Sequence, residues 1–327
     1  MAKSDQVPVA SPFHAKSTGA EVLADIDLQG KTAIVTGGYS GIGLETTRAL
    51  AAKGVKVIVP VRSPEKAAEN LASVEDDVSS AQMDLADLAS VNAFVQEMLG
   101  SLDRLDMLIN NAGIMANPET RLAPGWESQF GVNHMGHFAL VKGLMPLLEK
   151  TPGTRVICLT STAHKMSDIR WDDIQFSDGN YDKWMAYGQS KTANALFANA
   201  LSRRLKPTGG LAFSVHPGGI FTPLQRHLPK EEMVALGWIE EDGSPTALAK
   251  QGFKTPEQGC SNTLWGATSP LLADKPGVYL EDCNIANPVD PSSPMARYYG
   301  VNDHAVDDAS AERLWEISEE LLAEAGS

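Results

Sequence analysis

Short apolar runs alternate with longer amphipathic stretches along most of this 327-residue chain. The apolar runs lie at residues 32–35, 57–61, 79–83, 107–109, 156–159, 211–215 and 278–280. Continuous apolar runs are typical of strands buried on both faces of a sheet, and their alternation with helices is typical of parallel βαβ units. The pattern therefore predicts an α/β fold with seven parallel strands in a doubly wound sheet and helices on both faces.

Helical periodicity fills the spaces between these runs. Helices are predicted at residues 42–53, 64–72, 88–99, 126–149, 183–205, 255–267 and 309–323. Residues 29–327 are interpreted as one Rossmann-type domain after an N-terminal extension at 1–28. Residues 221–253 interrupt the alternation of predicted strands and helices. They follow a strand, where loops often form active sites, and are interpreted as a substrate-loop insertion. Residues 286–327 are interpreted as a C-terminal extension.

Composition excludes several classes of partner. The chain has 27 Lys and Arg against 41 Asp and Glu, a net charge of −14, which argues against nucleic acid and anionic membranes. Cys158, Cys260 and Cys283 are widely spaced, which favours reduced thiols over a disulfide framework. No apolar run reaches the length of a membrane span, and the start lacks a secretory pattern. We therefore expect a soluble cytoplasmic protein.

A glycine-rich segment, TGGYSGIG at residues 36–43, joins the first predicted strand to the first predicted helix. Glycine permits a tight turn and close approach of a pyrophosphate, and the N-terminus of the helix attracts phosphate. Such a loop alone also occurs as a purely structural turn, but the strand before it and the helix after it favour a dinucleotide site. The predicted cofactor contacts are Gly37, Tyr39, Ser40, Gly41, Ile42 and Gly43.

The end of the second predicted strand distinguishes two cofactors. An acidic residue there binds the ribose 2′-hydroxyl of NAD, whereas an arginine accommodates the 2′-phosphate of NADP. This strand ends in Val61-Arg62-Ser63, without a carboxylate. Arg62 therefore predicts NADP(H), with NAD less favoured, although an arginine exposed at a strand end is the simpler alternative.

Tyr187 and Lys191 stand four residues apart in a helical segment, so they share one face. A lysine cation beside a tyrosine favours the phenolate and lowers the phenol pKa, which suits proton transfer to or from an alcohol. The pair occurs often by chance. Its context strengthens it, because Ser161 follows the fifth strand, where its hydroxyl can polarise a substrate oxygen. Asn133 lies in the helix predicted at 126–149.

Asn110-Asn111-Ala112-Gly113 follows the fourth strand and completes the pattern. These motifs, in this order and spacing, resemble the short-chain dehydrogenase/reductase family over nearly all of residues 29–285. The resemblance implies that Tyr187 is the acid/base, Ser161 orients the reacting oxygen, and Lys191 binds the nicotinamide ribose. It implies that Asn133 holds a water in a proton relay. The further cofactor contacts that it implies are Asn111, Ala112, Gly113, Asp84, Leu85, Pro217, Gly218, Ile220 and Thr222.

Within the family, the Asn133–Phe138 stretch and the long insert between Ser161 and Tyr187 look most like the retinol dehydrogenase and WW-domain oxidoreductase branch. The chain lacks a WW module and the hydrophobic anchor common in retinol dehydrogenases, which leaves a retinoid substrate in doubt. Members often associate through the helices that carry Asn133 and Tyr187, so a homodimer or homotetramer is expected. The candidate substrate contacts are Ser161, Tyr187, His164, Met115, Trp184, Phe221 and Leu224.

No metal is expected. His134 and His137 stand three apart on one helix, but no third ligand is apparent and direct hydride transfer requires none. The leading hypothesis is an NADP(H)-dependent oxidoreductase that interconverts an alcohol and a ketone or aldehyde, and its expected partner is a hydrophobic, bulky small-molecule substrate. Two alternatives remain: a non-catalytic NADP(H) sensor, and a redox-neutral epimerase or dehydratase that shares the Tyr-x-x-x-Lys pair.

Overall fold

The computed structural model describes residues 5–74 and 77–326, so the first four residues of the N-terminal extension and Ser327 lie outside the described residues. The eight strands found there are β1 (Thr32–Val35), β2 (Lys56–Val61), β3 (Val78–Gln82), β4 (Met107–Asn110), β5 (Arg155–Leu159), β6 (Leu211–His216), β7 (Tyr279–Glu281) and β8 (Asn284–Ile285). They form one sheet in the order β3-β2-β1-β4-β5-β6-β7-β8. The chain winds outward from β1 in both directions, which confirms the doubly wound α/β prediction.

The predicted number of strands was wrong by one. Strands β1 to β7 pair in parallel, but β8 pairs antiparallel with β7. Asp282 and Cys283 connect the two strands, with φ angles of 50° and 57°. Positive φ at both central residues is what a tight two-residue hairpin needs. A strand of two residues carries no hydrophobic pattern of its own, so no sequence pattern predicts β8.

The helices follow the predicted spacing with shifts of a few residues at their ends. They are α1 (Gly19–Leu23), α2 (Gly41–Ala51), α3 (Pro64–Leu71), α4 (Leu88–Ser101), α5 (Ser128–Phe130), α6 (Gly136–Lys150), α7 (Lys183–Leu205), α8 (Lys230–Ala235), α9 (Ala247–Gly252), α10 (Pro256–Thr268) and α11 (Asp308–Ala325). The single helix predicted at 126–149 is interrupted, because a π-helical turn at Gly131–Met135 separates α5 from α6. Such turns are frequent at functional sites, and this one contains Asn133.

Two apolar cores lie on the two faces of the sheet. One core packs α4, α6, α7 and α11 against the sheet, with Phe94, Phe138 and Leu196 fully or almost fully buried. The other packs α1, α2 and α10, with Leu50 and Trp265 at its centre. Both faces of the central strands are thereby covered, which is why those strands read as continuous apolar runs. Strand β3 is the exception, because it lies at the sheet edge and Ser79, Ser80 and Gln82 are exposed.

The N-terminal extension is packed onto the domain. Gln6 pairs with the backbone of Tyr279, donating to its carbonyl at 3.1 Å and accepting from its N–H at 2.7 Å. Val22 and Leu23 are buried in the core around α10. Between these anchors the chain passes the site described below, where Ala15 lines the cavity.

The last helix, α11, covers part of α6 and α7, the helices through which association was expected. Its Trp315 packs against Phe138 and stacks on Phe197, with ring centroids 5.0 Å and 5.8 Å away. The guanidinium of Arg204 lies 3.9 Å from the centroid of the Trp315 ring. Association through α6 and α7 stays a prediction, and a partner there would meet α11.

Replacing the Trp315 ring tests how far α11 contributes to folding. The Trp315→Ala substitution should lower the free energy of unfolding in urea by about 3–5 kcal/mol, because it removes a buried aromatic ring and leaves a cavity. Leu271 is 39% exposed, so Leu271→Ala serves as the control and should change the free energy by about 0.5 kcal/mol or less. Equal effects of the two substitutions would contradict a packing role for Trp315.

Candidate active site

A cavity of about 1240 Å³ opens beyond the carboxyl ends of the parallel strands, where ligands bind in doubly wound sheets. The predicted site residues that line it are Gly37, Tyr39, Ser40, Gly41, Ile42, Gly43, Arg62, Asp84, Leu85, Asn111, Ala112, Gly113, Met115, Ser161, Trp184, Tyr187, Lys191, Pro217, Gly218, Ile220, Thr222 and Leu224. Three others, Asn133, His164 and Phe221, lie outside its lining. The fold thus brings residues from seven separate segments into one space.

The glycine loop needs its glycines for two physical reasons. Gly37 has a φ of +65°, a left-handed conformation that L side chains rarely adopt. A Cβ at Gly43 would lie 2.3 Å from the carbonyl oxygen of Gly37 and 2.5 Å from Nδ2 of Asn111. Ser40, the N-cap of α2, forms no side-chain cap bond among the described residues, so the first turn of α2 presents its N–H groups to the cavity side.

Thr36, which ends β1, joins the glycine loop to the turn after β4. Its Oγ1 accepts hydrogen bonds from the N–H groups of Asn111 and Ala112, at 2.9 Å and 3.0 Å. The same oxygen lies 2.9 Å from Nε2 of His137 on α6. Because Nδ1 of His137 donates to the carbonyl of Asn133 at 2.9 Å, Nε2 carries the lone pair and Thr36 donates to it. Burial lowers the pKa of His137 to about 4, which keeps this neutral tautomer at pH 7.

Asn133 is fully buried, and protein groups satisfy its side-chain amide. Its Oδ1 accepts from the N–H of Ile114 at 2.9 Å. Its Nδ2 donates to the carbonyl of Ile114 at 3.0 Å and to Oγ of Ser190 at 2.9 Å. The amide therefore holds the chain after β4 against α7, the helix that carries Tyr187. The water relay implied by the resemblance stays a prediction.

Ser161, Tyr187 and Lys191 converge as the sequence predicts. Ser161 caps a short 3-10 helix (Thr162–Met166) after β5, and its hydroxyl is near enough to the Tyr187 phenol to lower the phenol pKa. The Lys191 ammonium lies over the Tyr187 ring, 5.4 Å from its centroid. It donates to the carbonyl of Leu159 at 3.3 Å. This arrangement places a hydroxyl, a phenol and a cation on one wall of the cavity.

The expected lowering of the Tyr187 pKa was wrong in direction. Burial raises the pKa of Tyr187 to about 12, and the Ser161 hydroxyl opposes only part of that rise. Burial also lowers the pKa of Lys191 to about 8. Both groups are buried, and the loss of hydration is the largest cause of each pKa shift. At neutral pH the phenol keeps its proton.

His164 and Phe221 do not form the cavity wall that the sequence suggested. Nδ1 of His164 donates to the carbonyl of Ser161 at 2.7 Å, and its Nε2 accepts from the N–H of Asn302 at 3.1 Å. The fully buried imidazole therefore fastens the C-terminal extension to the Ser161 turn. Phe221 is 37% exposed and packs on Phe253 at 4.7 Å between ring centroids.

Sequence reasoning missed a charged group beside the Pro217-Gly218 segment. Lys254, almost completely buried, forms an ion pair with Asp282 at 2.6 Å. Both carboxylate oxygens of Glu281, at the end of β7, accept from the N–H of Gly300, at 2.9 Å and 3.0 Å. Lys165 donates to the carbonyl of Ala296 at 2.7 Å. Glu281 and Lys165 thereby hold the segment 296–300 beside the cavity. The four charged residues lie at three places far apart in the sequence, so no motif could have identified them.

Within residues 5–74 and 77–326, no group of three or more histidine, cysteine or acidic side chains is arranged to hold a metal ion. His134 and His137 have separate partners, since Nε2 of His134 bonds with Oγ of Ser318 at 2.8 Å. None of the described helices combines the length and the apolar character that crossing a membrane requires.

The fold and site together define a Rossmann-type protein in which a glycine-rich loop and the side chains of Ser161, Tyr187 and Lys191 line one cavity. Residues 31–233 match the family model described as short chain dehydrogenase. A protein named probable oxidoreductase from Streptomyces lividans is 41% identical over 303 residues, covering 91% of this chain and 99% of its own. Retinol dehydrogenase 12 from Mus musculus is 34% identical over 309 residues, covering 93% and 90%.

A solved structure of an uncharacterised protein from Mycobacterium paratuberculosis superimposes with a TM-score of 0.69 at 31% identity, covering 94% of this chain and 98% of its own. The chain belongs to the short-chain dehydrogenase family and is an oxidoreductase. The resemblance to this family, including its retinol dehydrogenases, is thereby confirmed.

Glu281 gives the fold a pH dependence that one substitution removes. Burial raises the pKa of its carboxyl to about 7 from the usual 4.5, so the folded chain binds this proton more readily than the unfolded chain. The stabilisation from this group is present below about pH 4.5 and is lost as the pH rises through about 7. Glu281→Gln keeps an oxygen acceptor for Gly300, so its melting temperature should change less between about pH 5.5 and about pH 8 than that of the wild type.

Glu319 forms a surface ion pair with Lys142, and its pKa is lowered, so Glu319→Gln is the matched control. It should keep the wild-type dependence of melting temperature on pH in this window. An unchanged pH profile in Glu281→Gln would show that Glu281 is not the group responsible.

Proposed function

We propose that this chain is an NADP(H)-dependent oxidoreductase that interconverts an alcohol and a ketone or aldehyde, with Tyr187 as the acid/base. The observation that carries the proposal is the placement of the Ser161 and Tyr187 side chains, with Lys191, in the lining of one cavity that also contains the glycine loop. A hydroxyl pair of this kind can hold one oxygen of a substrate from two sides.

The residues present fit a nicotinamide cofactor. The close contact of Gly43 with Gly37 and Asn111 leaves a side-chain-free surface where a pyrophosphate can approach the backbone. The first turn of α2 supplies N–H groups and a positive dipole end for its phosphates. Gly113, where a Cβ would lie 3.6 Å from Nζ of Lys191, leaves room beside that cation. When bound, the nicotinamide supplies or accepts a hydride.

Arg62 supports NADP over NAD. It is exposed at the end of β2 and lines the cavity. In a protein with a net charge of −14, a local cation of this kind is needed to favour a phosphate. A guanidinium also matches the geometry of a phosphate group in a bidentate contact.

In this proposal Tyr187 donates its proton to the oxygen of a carbonyl substrate while Ser161 orients that oxygen. The raised pKa of Tyr187 supports reduction of a carbonyl at neutral pH, because the phenol is then in its proton-donating form. Lys191, whose pKa is lowered to about 8, retains most of its charge at pH 7 and contributes that charge beside the phenol.

The substrate side of the cavity supports an apolar substrate. A small apolar cluster, with Met115, Leu228 and the ring of Tyr187 buried in it, includes Trp184, Leu224 and Trp238 at its border. Apolar walls with a few placed polar groups are typical of sites for small apolar molecules. One relative is named retinol dehydrogenase 12, so retinol is an alcohol to include in a substrate panel.

Removing the charge of Arg62 tests the cofactor assignment. Arg62→Ala should weaken NADPH binding by at least tenfold, because a phosphate contact with a cation contributes about 1.5–3 kcal/mol. Binding of NADH, which lacks the 2′-phosphate, should change by less than about twofold, and fluorescence titration of the reduced cofactors measures both. If the affinities for NADPH and NADH fell equally, Arg62 would not be the residue that binds the 2′-phosphate.

Replacing the hydroxyl of Tyr187 separates catalysis from cofactor sensing. Tyr187→Phe should lose most of the rate of NADPH oxidation with a panel of ketones and aldehydes, about 10²-fold or more, because the proton donor is gone. It should still bind NADPH as the wild type does. A wild type that consumes no NADPH with any carbonyl would favour the sensor or the redox-neutral alternative instead.

A further inference from the structure

The insertion at residues 221–253, called the lid from here on, folds over the substrate side of the cavity. It contains a 3-10 helix (Pro223–His227), α8 and α9, and it lines the cavity with residues from Leu224 to Phe253. Helix α8 has no buried residue of its own. The position of α8 therefore depends on the few contacts that its side chains make with the body of the protein.

One carboxylate supplies two of those contacts. Oε1 of Glu232, on α8, accepts from Nε1 of Trp184 at 2.7 Å. Its other oxygen accepts from Nζ of Lys183. Lys183 and Trp184 form the first turn of α7, the helix that carries Tyr187 one turn later. Glu232 thus connects the lid to the beginning of the catalytic helix.

The indole held by Glu232 lies between the lid and the phenol. Trp184 packs edge to face against Tyr187 and against Trp238 of the lid, with ring centroids 6.4 Å apart in each case. Trp238 in turn packs against Phe253 at 5.9 Å. These distances are those of favourable aromatic pairs. The orientation of the Trp184 ring therefore sets the shape of the cavity wall beside the reacting group.

We infer that Glu232 is a positioning residue that latches the lid and orients Trp184 against the substrate. It acts through Trp184, since its own carboxylate lies on α8 and bonds to the indole N–H and the Lys183 ammonium. The carboxylate is ionised at neutral pH because the bond from Lys183 lowers its pKa. Closing of the lid and alignment of the substrate wall are then one event.

Kinetics of three variants test the positioning role. Glu232→Ala loses both hydrogen bonds. It should raise the KM for an apolar ketone or aldehyde about tenfold, because one hydrogen bond to a charged group contributes about that much affinity. Its kcat and its Kd for NADPH should stay within about twofold of the wild-type values. Glu232→Gln keeps an oxygen for the indole and should recover most of the affinity. In a Trp184→Phe background, which lacks the N–H donor, Glu232→Ala should add little.

Limited proteolysis tests the latch without any turnover. Trypsin should cut the native Glu232→Ala protein at Arg226 and Lys250, both in the lid, several times faster than the wild type, and Glu232→Gln at an intermediate rate. Glu319→Gln breaks a surface ion pair between α6 and α11, so it is the control and should be cut as the wild type is. The kinetic part rests on the proposed function, whereas the proteolysis does not.

The results distinguish the latch from a general loss of structure and from the proposed function. Wild-type KM values and wild-type cleavage rates in both Glu232 variants would overturn the inference. A fall of kcat and of NADPH affinity together, with a lower melting temperature, would also overturn it by showing a general loss of structure. Faster lid cleavage in Glu232→Ala with no turnover by the wild type would uphold the latch and reject the proposed function.

Discussion

The hydroxyl of Thr36 is the point at which the cofactor side of the molecule is assembled. It receives two backbone N–H groups from the turn after β4 and donates to His137, whose ring holds the carbonyl of Asn133. Three segments that are distant in sequence are thereby fixed around one buried oxygen. An unsatisfied polar group at such a site costs about 1–3 kcal/mol, so each partner is obliged to stay in place.

Burial decides the protonation states around this point more than neighbouring charges do. It lowers the pKa of His137 to about 4 and raises the pKa of Tyr187 to about 12. A neutral His137 can accept from Thr36 and donate to Asn133 at the same time, which a charged imidazole cannot do. The apolar packing of α6 and α7 thus maintains both the hydrogen-bond chain and the protonated phenol.

Most of the fold followed from the sequence, as did the position of the predicted cofactor residues around one cavity, and the reasons are local. Gly37 and Arg62 lie just after buried strands and Gly43 lies in the first turn of α2, so apolar runs and turn residues mark their positions in the chain. Tyr187 and Lys191 share one helix, and their spacing shows that they share a face. In each case one segment carries the information, and the parallel sheet brings the strand ends to one edge.

The sequence did not predict contacts that join distant segments, nor the pKa of a group whose ionisation is controlled by burial. The pairing of Lys254 with Asp282, the fastening of His164 to Asn302 and the bond of Glu232 to Trp184 each join parts of the chain that carry no shared motif. The raised pKa of Tyr187 depends on the number of apolar atoms around it, which only the packed structure supplies.

The cofactor side and the substrate side of the cavity are built from different kinds of segment. The cofactor side is made of strand ends and their turns, which cannot change without disturbing the sheet, whereas the substrate side is made of the lid and the segment 296–300. Those two segments are held by a few side chains, Glu232 for the lid and Glu281 and Lys165 for the other. If the proposed function holds, the choice of substrate depends on contacts that lie outside the family's sequence motifs, while Ser161 and Tyr187 carry the chemistry.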